Sequence, residues 1–261
     1  MVGGFLTRNG TAPAVLPPAR DDVPLIAVAH GTAHQPGLRT LEALVERLRF
    51  LRPGLEVRLG FVSAAAPRPV ELLAGLAEEG AREAVVLPVF LGSGYHVAHD
   101  IPEAVRSAAT LRVHTARPLG PDPALAQVLA ERLGAVAGRV FGTQVVLVAA
   151  GSQSRRANTD TFVMAAMLSE RLGMQVSTAF LTAAEPSAAE VLTRLARRGR
   201  PVAVASYLLA EGGYTQRLAD TAALAGLEPE AARTPRVAGP LGAHELVARL
   251  LLRRYDEALF G

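Results

Sequence analysis

The chain has 261 residues, room for one large α/β domain or two of about 100–130 residues each. It contains no Cys, and all 27 basic residues are Arg because Lys is absent. This excludes disulfides, thiolate nucleophiles, Cys-ligated zinc, Fe–S clusters, Schiff-base lysines and a P-loop Lys. A formal net charge of +3, few aromatic residues and no basic block give no nucleic-acid footprint, although Arg in a cleft would attract an acidic small molecule.

Residues 1–20, rich in Gly, Pro and Ala, read as a loose tail without the apolar core of a signal peptide. No stretch of 18 apolar residues follows, so no membrane span and a cytoplasmic location are expected. LIAVAH at 25–30 is an apolar strand ending in a turn. Leu38, Leu41, Leu44, Val45, Leu48 and Leu51 then recur at helical spacing until Pro53-Gly54 stops the helix. Strands are expected near 55–61, 84–90 and 112–116, and helices near 69–79, 100–109 and 122–136. The order then repeats, with strands near 144–150, 175–180, 202–208 and 234–238. Continuous apolar strands between amphipathic helices indicate parallel sheets covered on both faces.

The repeat is visible in the residues. VAHGTAHQPG at 28–37 matches VAAGSQSRRA at 148–157, and GFVSAAAPRP at 60–69 matches AFLTAAEPSA at 179–188. VFLGSGYHVAHD at 89–100 matches SYLLAEGGYTQRLAD at 206–220 with small insertions, and ARPLG at 116–120 matches AGPLG at 238–242. Four matches in one order make two similar halves, 21–137 and 138–261, with a cleft between them. One chain then builds a whole cleft, which suits a monomer.

His30 closes the first strand and His96 follows the third, after Gly92-Ser93-Gly94. Both fall at the carboxyl edge of a parallel sheet, where ligands bind. Two imidazoles suit a divalent metal such as Fe(II), Co(II), Ni(II) or Zn(II); a lone strand-end His is otherwise a hydrogen-bonded polar residue. The second half has Ala150 in place of His30 and Thr215 near the place of His96, so packing does not require these histidines. His34 and His99 are extra ligands, proton relays or surface groups. Asp100 and Glu103 read as a helix cap and capping box, His114 as a strand residue and His244 as part of the last helix. Glu185 either adds charge to the cleft or forms the turn before Pro186. Arg117, Arg155 and Arg156 either pair with ligand carboxylates or lie on the surface. No GxSxG elbow, HExxH zinc motif or spaced GxGxxG is present.

LIAVAHGT at 25–32 and the segment 60–105, with its Pro loop, EGA, strand and a His followed by Asp-Ile-Pro, resemble the CbiX/SirB-type sirohydrochlorin chelatases, a branch of the class II tetrapyrrole chelatases. The resemblance implies two three-layer αβα chelatase domains, each with a central parallel sheet. It implies ATP-independent insertion of Fe2+ or Co2+ into sirohydrochlorin, for siroheme or cobalamin, with no tightly bound cofactor. It places the metal-binding and catalytic histidines at His30 and His96, in the N-terminal domain alone. The family often has Glu before the loop Pro; here Ala66 stands in the first half and Glu185 keeps the carboxylate in the second. The alternative is a non-catalytic tetrapyrrole or metal carrier with the same fold.

Overall fold

The computed structural model describes residues 20–108, 110–137, 142–229, 231 and 233–260, with the backbone alone at His96. The expected tail over 1–20 lies outside these residues except for Arg20.

The first half runs β1 (Leu25–Ala29), α1 (Gln35–Leu51), β2 (Val57–Phe61), α2 (Pro69–Glu78), β3 (Glu83–Pro88), α3 (Tyr95–Ala98), α4 (Asp100–Ser107), β4 (Arg112–Thr115) and α5 (Pro123–Ala137). The second runs β5 (Gln144–Ala149), α6 (Arg155–Leu172), β6 (Val176–Phe180), α7 (Ala188–Ala196), β7 (Val202–Tyr207), α8 (Gly213–Ala225), β8 (Arg236–Val237) and α9 (Glu245–Phe260). Two parallel four-stranded sheets result, ordered β2-β1-β3-β4 and β6-β5-β7-β8. The registers agree: Val28 pairs with Gly60 and Pro88, and Val148 pairs with Ala179 and Ser206. The duplication in sequence is thus a duplication in topology and register.

The central strands are apolar along most of their length because both faces are covered. In the first sheet, Ile26, Val28, Ala84 and Val86 point to an outer layer with Leu73 and Leu76 of α2 and Ile101 and Ala104 of α4. In the second, Val146, Val148, Val202 and Val204 meet Val191, Leu192 and Leu195 of α7 and Leu218 and Ala222 of α8. The alternate residues, Leu25, Ala27, Val85 and Leu87 in one sheet and Val145, Leu147, Ala203 and Ala205 in the other, belong to one continuous core shared by both halves.

The final helix of each half crosses over. α5 packs against α6 and β7 of the second half, and α9 packs against α1, β3 and β4 of the first. Polar bonds follow the same exchange. Arg52 at the end of α1 donates to both carboxylate oxygens of Asp256 in α9, at 2.7 and 2.8 Å. The buried Tyr255 hydroxyl donates to the Val23 carbonyl at 2.7 Å.

Helix ends depart locally from the sequence reading. Asp100 is the first residue of α4 rather than its cap; His99 holds the N-cap place. The chain already turns as a helix over α3, so Asp100 and Glu103 lie in the first turn of α4, where the helix dipole favours carboxylates. His244 precedes α9 instead of lying within it. Its Nδ1 accepts from the Leu246 N–H at 3.1 Å, and its Nε2 faces the Glu131 carboxylate at 3.1 Å, so it caps the helix. His114 is in β4, bonded to Glu83 at 2.8 Å. Ser187 caps α7 by accepting from the Glu190 N–H at 3.2 Å. Ser187→Ala should lower stability by about 1 kcal/mol and Ser187→Gly by only a few tenths, read from urea midpoints; equal losses would mean the hydroxyl does not cap.

Candidate functional site

At the carboxyl ends of the central strands the two halves enclose a cavity of about 820 Å³. Residues 29–32 and 89–92 line it from the first half, and 149–152 and 207–214 from the second. The walls are therefore the same two strand-exit loops taken twice. The lining is mostly Gly, Ala, Val and Leu, with His30, Arg217 and Glu211 among its polar members.

Each first-strand exit turns sharply on a glycine. Gly31 has φ +87°, and a Cβ there would lie 1.9 Å from the Ser63 carbonyl oxygen. Gly151 has φ +88°, with its Cβ position 1.9 Å from the Thr182 oxygen. Only glycine permits this approach. The two turns are alike in backbone and differ in what precedes them, His30 against Ala150. The Nδ1 of His30 lies 3.1 Å from the Gly31 carbonyl. A carbonyl can only accept, so this contact is a hydrogen bond in the tautomer with the proton on Nδ1, which leaves Nε2 as the metal-ligating nitrogen of a neutral ring.

His96 enters through its backbone in α3, and its neighbours Gly94, Tyr95 and Val97 line the same cavity as His30. The cavity thus collects both segments that the sequence singles out. The matched residue Thr215 is used within its own helix start: its hydroxyl accepts from Gly212 N–H at 2.9 Å and donates to Gly212 O at 2.8 Å.

The remaining candidates divide. His34 is the exposed N-cap of α1, with Nε2 3.9 Å from the Cβ position of cavity-lining Gly213. His99 is exposed, bonds the Tyr95 carbonyl through Nδ1 at 3.0 Å and stacks on the Tyr95 ring at 4.2 Å, so it faces its own helix. Glu185 is exposed in the loop after β6 and does not line the cavity. Arg117 makes a two-bond pair with Glu257 of α9 at 2.9 and 3.1 Å, which ties the exchanged helix to the first half. Arg155 and Arg156 are exposed on the first turn of α6, beside the lining residues Ser152 and Ala157.

Several lining residues gave no sign in the sequence. Tyr95 and Tyr214 come from matched loops, one from each half, and both reach the cavity while partly exposed. Asn158 fixes the Gly151 turn, accepting from Ser152 N–H at 3.1 Å and donating to Ser152 O at 2.8 Å. Tyr207, at the end of a buried strand, sends its hydroxyl across to the first half and bonds the Leu91 carbonyl at 2.7 Å. A polar-tipped aromatic ending an otherwise apolar strand was the one available signal.

Comparison with known proteins agrees with this geometry. The CbiX family model matches residues 24–136 and again 144–258. The chain is 28% identical over 199 residues to a sirohydrochlorin ferrochelatase of Priestia megaterium, covering 72% of this chain and 73% of that one. It is 24% identical over 124 residues to a sirohydrochlorin cobaltochelatase of Methanococcoides burtonii, covering 43% of this chain and 95% of that one. The solved structure of SirB from Bacillus subtilis with Fe3+ shares the fold at a TM-score of 0.80 and 22% identity, over 90% of this chain and 94% of that one. With two successive matches spanning nearly its whole described length, the chain belongs to the CbiX family.

Proposed function

We propose that the chain inserts a divalent metal ion, Fe2+ or Co2+, into sirohydrochlorin without ATP and without a resident cofactor, as a cytoplasmic monomer. The observation that carries this reading is the cavity of about 820 Å³ with His30 in its lining. The volume lies high in the range of small-molecule sites, about 300–1,000 Å³, and its glycine and alanine walls leave room for a flat ring. Relatives named as ferrochelatases and cobaltochelatases of this macrocycle support the substrate.

The chemistry asks the protein to hold a metal ion as it sheds water and to accept the protons leaving the pyrrole nitrogens. His30, with His96 from the facing loop, supplies imidazoles suited to both tasks. A pair of neutral ligands releases its ion more readily than a closed cage of four, as transfer to the ring requires. The amino ends of α6 and α8 border the cavity, with Arg217 in its wall and Arg155 and Arg156 at the rim. Helix dipoles and guanidiniums there favour a polycarboxylate substrate.

The test is anaerobic mixing of protein, sirohydrochlorin and Fe2+ or Co2+, followed by the absorption change of the macrocycle. Wild type should far exceed the protein-free rate, and His30→Ala should lose about 10²-fold or more. A wild-type rate equal to the control, with the macrocycle nonetheless bound, would assign the chain to the carriers instead.

A further inference from the structure

The loop that leads to His96 is held by the half that lacks the matching histidines. Residues Leu91–Ser93 lead directly into α3. The Tyr207 hydroxyl donates to Leu91 O at 2.7 Å, Asp160 Oδ2 of α6 accepts from Ser93 N–H at 3.0 Å, and the Ser154 hydroxyl donates to Ser93 O at 3.4 Å. All three partners belong to the second half. Burial pushes the Tyr207 hydroxyl far above the ordinary phenol value, so it stays a donor throughout the working pH range. Room for the bond comes from Gly120, where a Cβ would fall 2.0 Å from the Tyr207 oxygen and 2.4 Å from Leu91 O.

Among the described residues the arrangement has no converse. By the shared register, Val89 stands where Tyr207 does and offers no hydroxyl. Thr40, at the place of Asp160, donates to Pro36 O at 3.0 Å within its own helix. The second half therefore grips the first half's loop with groups that the first half does not possess.

We propose that Tyr207 and Asp160 are positioning residues: they clamp Leu91–Ser93 and so hold the backbone of α3, which carries His96, in place beside the cavity. The half without the matching histidines thereby acts on metal handling without touching the metal. This rests on the chelatase reading only in taking His96 as a metal ligand. Losing one such hydrogen bond should weaken metal binding severalfold, since a precise pair of ligands becomes a floppy one.

The experiment compares wild type with Tyr207→Phe, Asp160→Ala and Asp160→Asn in the full chain. Amide hydrogen exchange over residues 91–98 reads the clamp directly. Titration with Co2+ alone, and the split between the KM for metal and kcat in the insertion assay, read its consequence. Tyr207→Phe and Asp160→Ala should speed exchange by about tenfold and raise both the Co2+ Kd and the metal KM by about fivefold to tenfold. In both, kcat should move less than twofold. Asp160→Asn keeps an acceptor in place and should recover most of the protection and the affinity. Unchanged exchange in the first two variants overturns the clamp; faster exchange with unchanged Kd and KM for metal overturns the positioning role. If the wild-type chain fails to insert metal, the chelatase reading falls while exchange and Co2+ titration still decide the clamp.

Discussion

Arg254→Ala is expected to destabilise the chain by about 3–5 kcal/mol, the cost of breaking a buried ion pair from one side. The Arg254 side chain, in the exchanged helix α9, is 0% exposed. Its guanidinium donates to Asp122 at 2.8 Å and to the carbonyls of Leu119 and Pro118, each at 3.1 Å. Truncation would leave those acceptors short of a donor. Arg253 pairs with the same carboxylate but is 51% exposed, so Arg253→Ala should cost about 1 kcal/mol or less. Urea unfolding of the two variants separates the cases; equal losses would show that the buried network is not what fastens α9.

The same pair has a pH signature. Burial works against ionisation of Asp122, yet the Ala124 amide and the Arg253 and Arg254 guanidiniums hold its carboxyl below the ordinary Asp value. A lowered folded pKa stabilises fully above the unfolded value, about 3.9, and that contribution disappears as pH falls through the folded value. The stability gap between wild type and Arg254→Ala should therefore narrow in acid, below about pH 4. A gap constant down to the acid transition would contradict the assignment.

Gly31→Ala should remove turnover as well as stability. At φ +87° with a Cβ 1.9 Å from the Ser63 oxygen, alanine must adopt a strained backbone and displace the neighbouring loop, at about 3 kcal/mol or more together. The Ser63 amide donates to the His30 carbonyl at 2.9 Å, so the displacement passes straight to His30. A shift of about 1 Å at a reacting group can cost roughly 10²-fold. Gly151→Ala meets the same clash, 1.9 Å from the Thr182 oxygen, and should cost similar stability. Because Ala150 precedes it, turnover per folded molecule should fall much less. Comparable losses of turnover in the two variants would place the working chemistry in both halves alike.

Much of this was legible in the residues. Apolar runs such as LIAVAH and AVVLPVF carry their strand character locally, and the matched motifs 120 residues apart fix a shared topology. The glycine turns were visible as a repeated Gly after the first strand of each half. What did not show was the partner of each amphipathic face. α5 and α9 have the same periodicity whichever sheet they cover, so the crossing of the two helices leaves no mark on either sequence. The pair that Arg117 makes with Glu257 did not show because the two lie 140 residues apart. Asp160 is one polar helix residue among several, and its bond to Ser93 comes from the meeting of halves, not from spacing. His244 and Asp100 show the limit of boundary reading: a shift of one residue separates a helix cap from a first-turn residue.

The crossing of α5 and α9 bears on how far the two halves can differ. A chain only as long as one half could keep this packing only by lending its last helix to a second copy. Such a pair would be a symmetric dimer, bound to carry every histidine twice. Joining the copies in one chain ends that obligation. In one chain the halves are free to differ, as they do where Ala150 stands in place of His30 and Tyr207 in place of Val89.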